Sequence, residues 1–104
     1  MRIRVGKSSW AVYVVDDIDD AIRATYGSSA KPVGDNVVGY TDVHHKIIFL
    51  QRKKSAQQLA STYLHELLHA AAPEMSEKRV YHIERALFKL LWKDGWRPAC
   101  LYRN

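Results

Sequence analysis

The chain contains one cysteine, Cys100, so it has no internal disulfide, and a single thiolate builds neither a zinc knuckle nor a zinc ribbon. A reducing, cytoplasmic setting is expected. Long apolar runs are also missing: Ile47-Ile48-Phe49-Leu50 is far below the roughly 18 to 20 residues that cross a bilayer, so no membrane span is expected. The basic start, Met1 to Lys7, is followed by no apolar stretch of signal-peptide length, and export is not expected either. No repeat or low-complexity tract interrupts the sequence. The aspartates Asp16, Asp17, Asp19 and Asp20 lack the glycine and terminal glutamate of a calcium loop, which leaves helix capping as their role.

A chain of 104 residues, 47% hydrophobic and 26% charged, suits one core and not two, so residues 1–104 are read as a single domain. Sixteen basic residues against eleven acidic ones give a formal charge of +5, which favours an acidic partner or a nucleic-acid backbone. Only Arg52-Lys53-Lys54 makes a cluster, however, and scattered charge normally serves solubility. No nucleic-acid-binding signature accompanies the charge.

Arg2 to Val5 alternates and Trp10 to Val15 is rich in β-formers, predicting one strand or a pair. Asp16 to Arg23 predicts a short helix ended by Gly27, and residues 27–36 predict an exposed loop. Val37 to Tyr40 and Lys46 to Gln51 predict a hairpin around Thr41 to His45. From Ser55 to Ala72 the residues Ala60, Leu64, Leu67, Leu68 and Ala71 repeat at helical spacing and predict a core helix. Pro73 interrupts it, and Ser76 opens a second helix with Val80, Ile83, Leu87, Leu90 and Leu91 as its buried stripe, ended by Asp94-Gly95. The tail Trp96 to Leu101 is expected to pack as a last extended segment. The fold class is therefore α+β: a small twisted, mostly antiparallel sheet packed on the Ser55–Ala72 helix and a second, C-terminal helix.

Within the first long helix stands His65-Glu66-Leu67-Leu68-His69. Imidazoles four residues apart project from one helix face and can grip one zinc ion from adjacent corners of a tetrahedron. Glu66, rotated by about 100° from His65, is close enough to take a proton from water activated by the metal without occupying a coordination position. A catalytic zinc wants a third protein ligand and an open position. Glu77, eight residues past His69 and on the returning helix, is the first candidate, with Glu84 second and His82 third. Tyr81 shares the glutamates' face and is read as packed at the helix interface or as a hydrogen-bond donor to substrate. His44-His45 reads as a polar hairpin tip.

Residues 37 to 91, with Thr62 to Ala71 carrying the motif and Ser76-Glu77 opening a helix that holds Glu84, resemble the zincin metallopeptidases. The likeness is to minimal single-domain forms of bacteria and phages, and more distantly to ImmA/IrrE-like metallopeptidases. It implies zinc (Zn2+) as cofactor, the two motif histidines and a downstream helical glutamate as ligands, Glu66 as base, and a peptide or protein as substrate. It further implies that Lys46 to Gln51 is an edge strand on which substrate lies. Ala72 and Met75 stand where metzincins have a glycine and a third histidine, so that subgroup is excluded. Two rival readings remain: a basic nucleic-acid-binding module, prompted by the charge and by Trp92, Trp96 and Tyr102, and a zinc that is purely structural, with His82 or His44 as fourth ligand.

Overall fold

The run Ile47-Ile48-Phe49-Leu50, the most apolar of the chain, lies at the centre of the fold. A computed structural model describes residues 1–34, 37–52 and 55–101. Asp35, Asn36, Lys53, Lys54 and Tyr102 lie outside the described residues, so part of the expected 27–36 loop and most of the expected basic run are not characterised. The strands are β1 (Arg2–Val5), β2 (Ser8–Val15), β3 (Gly39–Asp42) and β4 (Ile47–Gln51). The helices are α1 (Ile18–Tyr26), α2 (Ala56–Ala71) and α3 (Glu77–Lys93), followed by a 3-10 turn at Ala99–Leu101.

The strands form one four-stranded mixed sheet in the order β1-β2-β4-β3, so the protein is α+β. Two pairings are antiparallel, β1 with β2 and β3 with β4, while β2 and β4 run parallel with Val12 beside Ile48 and Val14 beside Leu50. A parallel pair needs a crossover. Helix α1 supplies it, capped by Asp17, whose side chain accepts from the Asp20 amide at 2.9 Å. Asp17 thus caps, as the pattern predicts, while Asp19 accepts from the Val33 amide at 2.7 Å and braces the loop that follows the helix.

Because side chains alternate across a strand, the central strand β4 serves two cores. Ile48 and Leu50 of β4, with Trp10 and Val12 of β2, face α2 and α3 and pack with Leu59, Ala60, Tyr63, Leu64 and Phe88. Phe49 points the other way, onto Ile18 and Ile22 of α1. Ile48, Phe49 and Leu50 are essentially fully buried, each contributing on the order of 1.5–3 kcal/mol. The middle layer of a three-layer stack is thus apolar on both faces, which is why β4 reads as a continuous hydrophobic run.

Four expectations are corrected. The hairpin's first strand is Gly39–Asp42, two residues beyond the Val37–Tyr40 run, because the register pairs Asp42 with Ile47 and leaves only 43–46 for the turn, with Lys46 in a left-handed conformation at φ 57°. On the helices, Ala71, Leu87 and Leu90 are exposed, Leu90 by 61%, whereas Phe88 is buried. Helix α3 is covered on one side, by α2 and by Trp96 of the tail, so its buried line is narrower than the apolar pattern. The tail is not extended: it turns through Ala99–Leu101, with Trp96 stacked on Tyr63 and edge-on to Phe88. Finally, β4 is paired on both sides, so the sheet's free edge beside α2 is β3 and not Lys46 to Gln51. No helix of the described residues is long and apolar enough to cross a membrane.

At the hairpin, the Asp42 carboxylate accepts from the Tyr26 hydroxyl, takes the His45 amide at 3.1 Å and pairs with His45 Nδ1 at 2.7 Å, tying α1 to β3. Burial pushes the Asp42 carboxyl up, but the hydrogen bonds from Tyr26 and His45 outweigh it and hold the group below its ordinary 3.8. An acid lowered in the native state stabilises the fold above its unfolded value and loses that contribution as pH falls through the native one. Asp42→Asn should therefore lower the urea midpoint at neutral pH, and the gap from wild type should narrow below about pH 4 as wild-type Asp42 also becomes protonated.

Candidate metal centre

Helix α2 begins at Ser55, whose hydroxyl accepts from the Gln58 amide at 3.0 Å, and α3 begins at Ser76, which does the same for the Arg79 amide at 3.2 Å. Between them the chain reverses through a turn closed by the Met75 amide on the Ala72 carbonyl. The reversal sets the helices antiparallel, with His69 opposite Glu77 and His65 opposite Glu84. Glu77 sits in the first turn of α3, an end that favours a carboxylate, and His69 sits in the last turn of α2.

Three of the expected residues converge. His65 Nε2 lies 2.5 Å from Glu77 Oε1 and His69 Nε2 lies 2.9 Å from Glu77 Oε2, and the imidazole centroids are 5.0 Å apart. One donor atom from each of His65, His69 and Glu77 falls within 4.8 Å of the others, a grouping that can hold a metal ion. Two imidazole nitrogens and a carboxylate oxygen are a donor set suited to zinc. Glu84 is not in that group. It lies behind His65, its Oε1 3.6 Å from Nδ1, a near contact beyond hydrogen-bond length. His82, the third candidate, is exposed and outside the group.

Glu66 is placed differently from both histidines. It is buried, 6% exposed, and points from α2 toward β3, where the Thr41 hydroxyl lies 2.8 Å from its Oε1 and 3.1 Å from its backbone carbonyl. Burial raises the Glu66 carboxyl above its ordinary value, opposed by Thr41 and the two histidines and assisted by Glu77. Thr41 engages Oε1 and leaves Oε2 without a partner from Thr41.

Gly39 explains how a carboxylate fits there. A Cβ at this position would lie 2.5 Å from Glu66 Oε2, 2.8 Å from Cγ and 2.9 Å from Cδ. The glycine is required by space and not by backbone conformation. Gly39 and Thr41, two apart on one strand, share the face toward α2, while Tyr40 packs with the α1 core. Sequence reasoning missed both: Thr41 was expected in the hairpin loop, and strand alternation reveals its direction only once the strand's start is known.

These groups line a cleft of about 680 Å³ between β3 and the α2–α3 pair, with Gln58 and Thr62 on one wall and Tyr81 on another. Tyr81 is 53% exposed, its ring 5.1 Å from that of His65, so it is a cleft-wall residue and not a packed interface residue. His44 and His45 are exposed at the hairpin turn and do not line the cleft.

Gly39→Ala should cost about 1–3 kcal/mol by overpacking. The same change in a Glu66→Ala background should cost much less, a coupling that urea unfolding of the four proteins in a double-mutant cycle would measure. Equal costs in both backgrounds would mean that the glycine and the carboxylate do not compete for this space.

Compared with known proteins, the chain matches no family model, no curated protein and no solved structure, so what can be said of this centre follows from its own geometry.

Proposed function

We propose that the protein is a zinc-dependent hydrolase acting on peptide bonds, with His65, His69 and Glu77 as metal ligands and Glu66 as general base. One observation carries the reading: three donors meet at one point while a second acidic side chain, Glu66 on the same helix turn as His65, is held out of that group by the edge strand. A zinc ion held there would polarise a carbonyl and lower the pKa of water to about 7.

The chain's own residues divide the remaining work. Glu66 takes the proton of the attacking water, its carboxylate oriented by Thr41, and returns it to the leaving amine. The outer edge of β3, which no strand of the described residues pairs, runs along the cleft and can take an extended peptide by strand addition. Tyr81 offers a hydroxyl from the wall for the substrate carbonyl. A purely structural zinc is less well supported, because the convergent group among the described residues has three donors and neither His82 nor His44 belongs to it.

Elemental analysis of the purified protein tests this directly. One zinc per chain is expected in wild type and in Glu66→Gln, with little in His69→Ala or Glu77→Ala. On a peptide library, Glu66→Gln should lose activity by roughly 10²–10⁴-fold while keeping its metal. Failure of the wild type to take up zinc from metal-supplemented buffer would overturn the proposal.

A further inference from the structure

Helix α3 gathers a basic surface that is not contiguous in the sequence. Lys78, His82, Arg85, Lys89 and Lys93 follow one another at intervals of four, three, four and four residues. At 3.6 residues per turn they fall within about 80° of arc, a stripe roughly 22 Å long. All five are exposed, and none forms an ion pair among the described residues. The helix's two carboxylates, Glu77 and Glu84, are turned toward the histidines of α2. Arg85 lies 6.0 Å over the ring of Tyr81, so the stripe reaches the wall of the cleft.

An exposed helix face normally mixes signs at i,i+4 spacing, and like charges at that spacing repel. This face carries the repulsion with no compensating acid, which a polyanion would relieve. A row about one cation wide and one turn apart suits a line of phosphates better than a plane of lipid headgroups. The arc itself holds only the four cations and His82; the nearest apolar side chains, Ala86 and Trp92, flank it about 20° outside either edge, so the stripe has no apolar group of its own to enter a bilayer.

We propose that this face of α3 binds the phosphate backbone of a nucleic-acid duplex, without regard to sequence. Four permanent cations on the stripe predict a slope of log K against log salt near −3.6, so affinity falls on the order of a hundredfold between about 50 and 200 mM salt. Contact is through Lys78, Arg85, Lys89 and Lys93, and the site stands independently of zinc or hydrolysis.

The test is fluorescence anisotropy of a short labelled duplex of arbitrary sequence with the full chain across a salt series. Arg85→Gln/Lys89→Gln should reduce the slope by about 2, whereas Arg4→Gln/Lys7→Gln, exposed cations on the other side of the sheet order, should leave it unchanged. Circular dichroism confirms that both variants are folded. Absence of binding at low salt overturns the proposal, as does an equal loss in the two double variants. Binding to vesicles containing anionic phospholipid, with none to the duplex, overturns it in favour of a membrane surface.

Discussion

A buried carboxylate must be hydrogen-bonded, paired or neutral, and the arrangement around Glu66 follows from that constraint. The side chain leaves the α2 helix toward the sheet and meets a hydroxyl from Thr41 at 2.8 Å and a backbone that has no Cβ at Gly39. These contacts fix how closely α2 can approach β3. Once that distance is set, His65 in the same helical turn and His69 in the next are presented on an adjacent face of α2, toward α3. The site is built outward from the strand–helix contact.

The features legible in the sequence are those governed by short-range periodicity. The motif spacing, the helix that carries it, the opening of the second helix at Ser76, and Glu77 as the residue returning to meet the histidines all depend on separations of a few residues. The parallel pairing of β2 with β4 joins residues 36 apart, Ala11 with Ile47, and no local pattern encodes it. The two-residue displacement of β3 has a similar cause: cross-strand pairing decided the register. Leu87 and Leu90 look like core residues by spacing, but a helix covered from one side has less buried arc than its apolar residues could fill.

Helix α3 separates its charges by direction. Its acids turn toward the α2 histidines and its cations outward, so one element contributes to the His-His-Glu group that could hold a metal and presents an electrostatic surface. Reading charge as contiguous runs hides this, because the cations are brought into line only by helical winding. Tyr81 connects the two sides, with one face near His65 and an arginine above its ring.

The open side of β3 bears on how the protein behaves at high concentration. Unsatisfied amides and carbonyls along a strand attract any extended chain, including the same strand of another molecule. Four residues offer too little length for a lasting ladder, and the left-handed Lys46 turn closes one end of the hairpin. The shortness of this strand therefore limits self-pairing while leaving enough backbone to hold a transient guest.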